Sequence, residues 1–465
     1  MSDTYDVITL GGGTAGYTAA IRAAQLGLKA AVVEKDKLGG VCLHRGCIPT
    51  KALLESAEVL STVRRSGSFG VDVGNIELDY AQVLRRKDEI VAILYKNLQS
   101  VIQKQRVEVI SGSGRLVSAN QVQMMASGPG GQLIQARHVV VASGSRPRTL
   151  PGLAADPPRI VTSDELLELS EPPSSLVIIG GGAVGLEFAS FFLDIGSQVT
   201  IVEALPQLLP LEDADLGNAI ARILAARGAQ LFTSARVVVD ETRVKDRTVE
   251  LSVEHDGGRK AIEAACVLVA IGRQGNTEGI GLENMKAVVE NGFLAVDEAM
   301  RTAERALFAV GDVTGKLLLA HAAAAQGFLA AEAIADRGPA PLAYHLVPRV
   351  VYTRPQIAAV GLSEGEAKKD GRRVKTQRFS FRNNAMAQLR GETEGFAKVV
   401  FDQDSGELLG VHVIGSQAAE LIGEAALAIR SGAHVKDLAG VHAHPSLSES
   451  LAEAAALSAG LSIYW

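Results

Sequence analysis

The chain carries two copies of one strand–turn–helix–strand unit. In the first copy, the apolar run Val7–Leu10 leads into the glycine turn Gly11–Gly16, a helical pattern follows, and a second apolar strand ends at Glu34. The same order returns 169 residues later, from the turn that begins at Gly180 to the strand that ends at Glu203. A turn of this kind between a strand and a helix is typical of the Rossmann fold. The duplication therefore predicts an α/β protein with two Rossmann-like domains.

Both turns have the chemistry of a dinucleotide site. Glycines allow the backbone to approach a pyrophosphate, whose negative charge lies at the positive N-terminus of the following helix. Glu34 and Glu203 end the second strands, where a carboxylate accepts hydrogen bonds from ribose hydroxyls. A structural β-turn-α unit without a ligand is the alternative interpretation of each copy. Two such units predict two nucleotide cofactors, held by two sets of turn glycines: Gly11, Gly13 and Gly16, and Gly180, Gly182 and Gly185.

Glu203 also bears on the identity of the second cofactor. A carboxylate at this position repels a 2′-phosphate, and the following segment Ala204–Gln207 offers no arginine to bind one. NAD is therefore favoured over NADP at the second site.

The composition excludes several other classes of protein. At roughly 150 residues per domain, the 465 residues predict about three domains. Lys and Arg number 46 against 52 Asp and Glu, for a formal net charge of −6, and no basic block is found along the chain. A nucleic-acid partner is therefore not expected. Three cysteines cannot form the disulfide framework of a small secreted protein, and Cys266, in an apolar strand, is expected in the core.

No secretory or membrane segment is predicted. The N-terminus lacks the basic and apolar regions of a signal peptide. The best candidate for a membrane span, Leu317–Ala335, carries His321, Gln326 and Glu332, which favours a buried helix of a soluble protein. We therefore expect a soluble, cytoplasmic enzyme without a membrane partner.

Cys42 and Cys47 form a closely spaced pair after the first repeat. On a regular helix their Cα atoms would lie about 8 to 9 Å apart, which exceeds the limit of about 7 Å for a disulfide. A bridge therefore requires an irregular turn, which Gly46 and Pro49 can supply. Two buried thiols are the alternative. Next to a dinucleotide site, with Arg45 and a helix N-terminus available to lower a thiol pKa, a redox disulfide is favoured.

The sequence resembles the pyridine nucleotide-disulfide oxidoreductases and, among them, the dehydrogenases that oxidise dihydrolipoyl groups. The similarity extends over nearly the whole chain. Besides the two repeats and the cysteine pair, it rests on the motifs Ala142–Pro147, Ala270–Arg273, Phe308–Asp312, Leu319–Ala322, Tyr352–Pro355 and His442–Glu449.

This resemblance implies the domain organisation and the cofactors. Two Rossmann-like domains would bind FAD and NAD, and an α+β C-terminal domain would form the interface of a homodimer. The expected boundaries are 1–149 for the FAD domain, 150–272 for the NAD domain, 273–345 for a central segment that completes the FAD domain, and 346–465 for the interface domain. Alternating patterns at Ala397–Phe401 and Leu408–Ile414 predict strands in the last domain.

The resemblance also implies two sets of cofactor-binding residues. The FAD set comprises Gly11, Gly13, Gly16, Glu34, Lys51, Gly114, Ser143, Gly144, Gly311, Asp312, Ala320 and His321. The NAD set comprises Gly180, Gly182, Gly185, Glu187, Glu203, Gly272 and Arg273. Within these sets, Asp312 would bind the ribityl chain, and the helix that starts near Ala320 would point at the flavin pyrimidine ring.

Six catalytic roles follow from the same resemblance. Cys42 would be the thiol that exchanges with the substrate, and Cys47 the thiol that contacts the flavin. His444 would be the base and Glu449 the carboxylate that orients it. Lys51 would lie near flavin N5 and form an ion pair with Glu187, which is counted with the NAD set as well.

The histidine motif has two other interpretations. Ser446–Glu449 is also a good capping box for the helix that follows it. His442 and His444 could be a metal pair, but no third ligand is evident, so no metal is predicted.

The implied reaction is oxidation of a protein-bound dihydrolipoyl group with reduction of NAD to NADH, through the redox disulfide and FAD. In a homodimer, the base would reach the disulfide of the other subunit. The lipoyl carrier could belong to a 2-oxoacid dehydrogenase complex, the glycine cleavage system or another lipoate-dependent pathway. A reductase that uses NADH on another disulfide is the alternative enzyme, and a catalytically inactive flavoprotein is the non-enzymatic alternative.

Several residues depart from the family pattern, although none of them removes a catalytic group. Val41 replaces a threonine, Thr14–Ala15 replaces a Pro-Gly pair, Gly275 stands where a proline is common, Arg354 stands where an acidic or small polar residue is usual, and Asn383–Ala387 lacks an arginine. The last two lie in the predicted interface domain and bear on the identity of the protein partner.

Overall fold

A computed structural model describes residues 4–125 and 131–462. The helices are α1 (Thr14–Gln25), α2 (Gly40–Arg45), α3 (Cys47–Arg65), α4 (Tyr80–Lys104), α5 (Ser163–Leu166), α6 (Ala183–Ile195), α7 (Ala214–Ala226), α8 (Ala320–Ile334), α9 (Glu364–Lys369), α10 (Ala385–Arg390), α11 (Ala418–Arg430), α12 (Val435–Leu438) and α13 (Glu449–Ser458). The strands are β1 (Tyr5–Leu10), β2 (Ala30–Glu34), β3 (Glu108–Ser111), β4 (Gly114–Ser118), β5 (Gln121–Met124), β6 (Leu133–Val141), β7 (Ser145–Pro147), β8 (Ile160–Val161), β9 (Ser175–Ile179), β10 (Gln198–Val202), β11 (Gln230–Phe232), β12 (Arg236–Val244), β13 (Val249–His255), β14 (Gly258–Ala264), β15 (Cys266–Val269), β16 (Arg273–Gly275), β17 (Val289–Glu290), β18 (Phe293–Leu294), β19 (Leu307–Ala309), β20 (Arg349–Val351), β21 (Gln356–Gly361), β22 (Val374–Ser380), β23 (Phe396–Asp402) and β24 (Leu408–Gly415).

The chain divides into two compact units. The first contains the described residues up to 52, from 82 to 148, and from 272 to 344. The second contains residues 53–81, 149–271 and the described residues from 345 onwards. The finer division into four segments that the resemblance implies stays a prediction.

The first unit is built on a mixed sheet that includes the first repeat. Its strands follow the order β3-β2-β1-β6-β5-β4, and β19 also pairs with β6. The pairs among β3, β2, β1, β6 and β19 are parallel, which explains why these strands read as nearly continuous apolar runs. Helix α1 packs against α8 through small residues, since a Cβ on Gly327 would lie only 2.6 Å from the carbonyl oxygen of Ala15. The predicted buried helix at Leu317–Ala335 is confirmed as α8, with Ala322 and Ala330 fully buried.

The second unit contains the second repeat. Strands β9, β10, β11, β15 and β8 form a parallel sheet in the order β11-β10-β9-β15-β8. Helix α6 follows the glycine turn after β9 and ends at Ile195, and the next residue, Gly196, has a φ of 102°, the left-handed conformation that favours glycine after a helix. The predicted order of strand, turn, helix and strand is therefore confirmed in both copies. Cys266 is buried in β15, where burial raises the pKa of its thiol to about 12.

The C-terminal part of the second unit is an antiparallel sheet in the order β20-β21-β24-β23-β22. The strands predicted at Ala397–Phe401 and Leu408–Ile414 are present as β23 and β24, but the alternation of buried and exposed residues expected there is wrong. Every residue of β24 is buried, because helices α7 and α11 both pack against it. The polar residues that suggested alternation, Lys398 and His412, are themselves buried and pair directly across the two strands.

No helix among residues 4–125 and 131–462 is long and apolar enough to span a membrane.

Candidate active site

The two glycine turns have almost the same geometry. Gly11 and Gly180 adopt φ values of 113° and 111°, which strain any other residue. A Cβ on Gly16 would lie 1.9 Å from the carbonyl oxygen of Gly11, and a Cβ on Gly185 would lie 2.2 Å from that of Gly180. Each turn therefore requires glycine at its first and last positions, so that the chain can leave the strand and enter the helix at once.

The acidic residues that end the second strands hold these turns in place. Glu34 accepts hydrogen bonds from the amides of Gly12 at 2.6 Å and Asp36 at 2.8 Å. Glu203 accepts equivalent bonds from Gly181 at 2.6 Å and Leu205 at 2.8 Å. A carboxylate oxygen has two acceptor sites, so each retains capacity for a ribose hydroxyl.

The turns also fit a pyrophosphate. In the part of the chain that the structure describes, no side chain caps the first turn of α1 or α6, so their N-terminal amides still need an acceptor. Space is available beside them, because a Cβ on Gly13 would come no closer than 3.8 Å to another atom, and one on Gly182 would meet nothing within 4 Å. In the first unit, a cavity of about 300 Å³ lined by Glu34 and Tyr95 is large enough for part of a nucleotide. The residues present therefore fit the two dinucleotides that the sequence predicts.

Asp312 lies at the centre of a polar cluster in the first unit. The hydroxyl of Ser145 donates to its carboxylate at 2.5 Å and accepts from Nε of Arg273 at 2.7 Å. The amide of the preceding Gly311 donates to the fully buried Gln326 at 2.6 Å. Arg273 and Gly272, which the resemblance assigns to NAD, lie in the first unit with the predicted FAD residues. Arg273 falls in the segment 273–345 that was expected to complete the FAD domain, and its role toward NAD stays a prediction. The other five residues of the predicted NAD set lie in the second unit.

The remaining residues of the predicted FAD set have local structural roles as well. Ser143 donates to the carbonyl oxygen of Asn276 at 2.8 Å, and the following Gly144 has a φ of 71°. Gly114 is required by packing, since a Cβ there would lie 2.9 to 3.0 Å from side chains of β1, β2 and β5. Ala320 and His321 begin α8, as the resemblance implied.

The cysteine pair spans a break between two helices. Cys42 lies on α2 and Cys47 begins α3, and Gly46 separates them with φ −146° and ψ −111°, far from helical values. The irregular turn predicted at Gly46 is therefore confirmed. The two free thiols are hydrogen-bonded to each other and half-buried. That hydrogen bond, followed by burial, raises the pKa of Cys42, while the charge of Lys51 acts in the opposite direction.

Lys51 and Glu187 occupy different units. Lys51 follows Cys47 by about one turn of α3. Glu187 is buried in α6 and accepts a hydrogen bond from the amide of Tyr352 at 3.0 Å. Their ion pair therefore stays a prediction.

His444 and Glu449 form a dyad in the second unit. Nδ1 of His444 lies 2.9 Å from Oε1 of Glu449, and Oε2 of Glu449 accepts from the amide of Ser446 at 2.8 Å. Burial acts to raise the pKa of Glu449, but these two hydrogen bonds outweigh it and lower that pKa, so the group is a carboxylate. With Nδ1 bound in this way, Nε2 of the largely exposed His444 is the nitrogen that can accept a proton.

The alternative interpretation of Ser446–Glu449 as a capping box is half correct. Glu449 binds the amide of Ser446, but the hydroxyl of Ser446 contacts that of Ser448 at 3.0 Å, and α13 begins only at Glu449. The carboxylate therefore shapes the helix entrance and orients the histidine at the same time.

Sequence analysis missed the function of His442. Its Nε2 lies 2.9 Å from Glu424 on α11, and its Nδ1 lies 2.9 Å from the carbonyl oxygen of Gly440. In the described structure, no amide of residues 440–446, here named the base loop, donates to another main-chain group. The His442–Glu424 contact therefore ties this loop to α11. No described trio of His, Cys, Asp or Glu side chains is arranged to hold a metal ion.

Two departures from the family pattern support neighbouring structure. Buried Asn384 donates to the carbonyl oxygen of Ser446 at 2.9 Å and so holds the end of the base loop. Arg354 pairs with the buried Asp194 of α6. For the second contact, the available sequence signal was Asp194, a charged residue within the apolar pattern of α6.

The chain belongs to the pyridine nucleotide-disulphide oxidoreductase family. Residues 5–327 match the family itself, and residues 347–455 match its dimerisation domain. The α/β fold and the family that the sequence indicated are thus confirmed, and the chain is an oxidoreductase that uses FAD and NAD.

Its relatives include several dihydrolipoyl dehydrogenases. The protein of that name from Bacillus subtilis is 42% identical over 474 residues, with 100% of both chains covered. The one from Chlorobaculum tepidum is 42% identical over 457 residues, covering 98% of this chain and 97% of the relative. Among solved structures, LpdA from Mycobacterium tuberculosis has a TM-score of 0.89 at 31% identity, with 97% of this chain and 98% of that chain covered. The HOCl-induced flavoprotein disulfide reductase RclA from Escherichia coli, as its Cu(II) complex, has a TM-score of 0.87 at 27% identity, with 98% and 99% covered.

Proposed function

We propose that this chain oxidises a protein-bound dihydrolipoyl group to lipoyl and reduces NAD to NADH. The observation that carries the proposal is the direct contact between the thiols of Cys42 and Cys47, in the unit that holds the first glycine turn. A dithiol substrate can transfer its two electrons to a protein disulfide by thiol–disulfide exchange, and two contacting cysteine sulfurs can form and break such a disulfide reversibly. The full-length similarity to dihydrolipoyl dehydrogenases supports the choice of substrate.

The exchange proceeds in two steps on the oxidised pair. One sulfur of the dihydrolipoyl group attacks Cys42, and Cys47 leaves as a thiolate. The second substrate sulfur then closes the lipoyl disulfide, and the leaving Cys42 sulfur takes up the proton of that second thiol, so both electrons are now on the protein as the Cys42 thiol and the Cys47 thiolate. His444 accepts the proton from the attacking thiol, and Glu449 stabilises the imidazolium that forms. When bound, FAD supplies the two-electron acceptor that links the reduced cysteines to NAD.

The cofactor-binding roles are part of the same proposal. We assign the FAD pyrophosphate to the amides that follow Gly11 and the ribose to Glu34, with Asp312 at the ribityl chain. We assign NAD to the second turn and to Glu203. Lys51 and Glu187 complete the assignment as an ion pair near the flavin.

The proposed assembly is a cytoplasmic homodimer that serves a lipoyl-bearing protein. The match to the dimerisation domain supports self-association. The high exposure of His444, at 63% of its side chain, suits a base that acts on the disulfide of the partner subunit.

An anaerobic titration tests the proposal. The purified protein is reconstituted with FAD, titrated with dihydrolipoamide and then mixed with NAD. We expect a long-wavelength thiolate-to-flavin absorption band, followed by NADH. Cys42→Ser should abolish NADH formation, whereas Cys266→Ser, a buried thiol in β15, should not.

Two outcomes would contradict the proposal in different ways. If NADH reduces the bound flavin but dihydrolipoamide does not, the substrate is a different disulfide. A protein that cannot be reconstituted with FAD would refute the cofactor assignment.

A further inference from the structure

The buried side chain of Asn384 makes hydrogen bonds to three different segments. Its amide oxygen accepts from the backbone amide of Ala387 at 3.0 Å and so caps α10. Its amide nitrogen donates to the carbonyl oxygen of Ser446 at 2.9 Å and to the hydroxyl of Ser450 at 3.0 Å. These partners fix the orientation of the side chain, because a backbone amide can only donate and a carbonyl oxygen can only accept.

The two bonds donated by Asn384 reach both sides of the Glu449 carboxylate. Ser446 belongs to the base loop, and its amide donates to Oε2 of Glu449 at 2.8 Å. Ser450 directly follows Glu449 on α13 and is fully buried. Oε1 of Glu449 lies 2.9 Å from Nδ1 of His444. Asn384 thus links the loop residue that binds Glu449 to the helix residue beside it.

The apolar packing near the dyad does not by itself set its orientation. Leu447 and Leu451 are buried in the same core cluster as Ala387. Contacts of this kind are not directional, whereas hydrogen bonds have preferred distances and angles. The ring of His444 is largely exposed, so packing holds it only weakly. Its direction depends on the hydrogen bonds that pass through Glu449 and end at Asn384.

We propose that Asn384 is a positioning residue for the reaction, which holds Glu449 in place through Ser446 and Ser450 so that His444 presents Nε2 to the substrate thiol. The inference rests on the proposed function in one respect, namely that His444 is the base. A general base acts only within hydrogen-bond reach of the proton that it accepts. A displacement of about 1 Å, caused by a residue away from the chemistry, can slow a reaction about a hundredfold.

The test compares Asn384→Ser with Asn383→Ser in the FAD-loaded enzyme. Serine keeps an oxygen that can cap α10, but it is shorter and lacks the amide nitrogen that binds Ser446 and Ser450. Asn383 receives the same change one residue earlier, where the side chain is exposed. Asn384→Ser should lower kcat for dihydrolipoamide about ten- to hundredfold with little change in KM, whereas Asn383→Ser should match wild type. FAD content and the reduction of ferricyanide by NADH should stay unchanged in both variants.

The same substitution in a His444→Gln background separates positioning from a general structural role. Once the base is absent, the placement of Glu449 no longer affects turnover, so Asn384→Ser should cause no further loss there. Ser450→Ala removes only the bond to α13 and should lower kcat by a smaller factor, again only when His444 is present. In a crystal structure of Asn384→Ser, the contact between Nδ1 of His444 and Oε1 of Glu449 should be longer than 2.9 Å or lost.

Three results would overturn the inference. The first is a kcat of Asn384→Ser equal to that of wild type. The second is the same fold loss with and without His444, and the third is loss of FAD or of ferricyanide reduction, since either would assign Asn384 to the fold alone. If Asn384→Ser does not fold, Ser450→Ala decides by the same comparison with and without His444. Failure of the wild-type enzyme to oxidise dihydrolipoamide would refute the proposed function instead, and the crystal structure would still decide whether Asn384 positions the dyad.

Discussion

Replacement of Lys398 by Met should destabilise the second unit strongly. The side chain is 2% exposed, and its ammonium group lies 2.9 and 3.1 Å from the two carboxylate oxygens of Asp213, 2.8 Å from Asp215 and 2.9 Å from Glu364. Asp213 is buried, whereas about a third of each of the other two carboxylates is exposed to water. Methionine fills similar space, so the main loss is the counterion of a buried carboxylate.

The size of the effect follows from what Asp213 retains. Removing one partner of a buried ion pair costs about 3–5 kcal/mol. Asp213 still accepts hydrogen bonds from the amides of Asp215 at 3.0 Å and Glu364 at 3.2 Å, so we expect a loss of free energy of unfolding at the lower end of this range. A loss of about 3 kcal/mol corresponds to a fall in Tm of about 6–12 °C. Differential scanning calorimetry at one fixed scan rate measures it.

The fall in Tm should also depend on pH. Burial raises the pKa of Asp213, but the nearby His412 and the hydrogen bonds and charge of Lys398 lower it overall. Burial lowers the pKa of His412 to about 4, so at neutral pH Lys398 is the cation that stabilises Asp213. In wild type, this contribution is present above the unfolded carboxyl pKa of about 3.9 and is lost as the pH falls through the folded value. In Lys398→Met, the folded pKa of Asp213 rises, so Asp213 takes up a proton in the folded variant before it does so in wild type. The difference in Tm between variant and wild type should therefore narrow as the pH is lowered from neutral toward the unfolded carboxyl pKa of about 3.9.

Lys368→Met is the matched control. Lys368 also pairs with Glu364, at 2.6 Å, but 58% of its side chain is exposed. An exposed pair contributes at most about 1 kcal/mol, so this variant should lose no more than about 2–4 °C. The argument from burial would be refuted if the two variants lost equal amounts in Tm. It would also be refuted if the difference in Tm between Lys398→Met and wild type did not change with pH.

Exchange of His444 for Gln should reduce dihydrolipoamide turnover by about 10²–10⁴-fold with little change in FAD content, because it removes the proton acceptor; unchanged turnover would contradict its role as base. His442→Asn and Glu424→Gln should each lower kcat about tenfold, because either change releases the base loop from α11; fully additive losses in the double variant would show that the two side chains act separately. Glu203→Gln should raise the KM for NAD about tenfold without loss of FAD, and Glu34→Gln should weaken FAD instead; weaker FAD binding in both variants would indicate a general folding defect.

The two repeats could be predicted from sequence because every local signal agrees. In the segments that end at Glu34 and Glu203, the apolar strand, the glycine turn and the final carboxylate all indicate the same structure. The break between α2 and α3 was predictable for a similar reason, since five-residue spacing on a regular helix is incompatible with a disulfide and Gly46 offers the alternative.

The remaining features depend on contacts between distant parts of the chain. Lys398 and His412 look like exposed positions of alternating strands, and only their partners reveal that they are buried. Arg273 bonds to Ser145, which lies 128 residues earlier, and pairs with Asp312, and no local pattern reveals either contact. The function of His442 depends on Glu424, which lies 18 residues earlier in the sequence.

The two backbone bonds accepted by Glu203 limit how this lineage could change its cofactor. Any mutation that removes the carboxylate to admit a phosphate also leaves the amides of Gly181 and Leu205 without their acceptor. The first step toward NADP would therefore weaken the turn to which NAD is assigned in our proposal, and a second substitution would be needed to restore its hydrogen bonds. On the proposed assignment of NAD to this turn, the carboxylate that excludes a 2′-phosphate is also the group that holds the turn together.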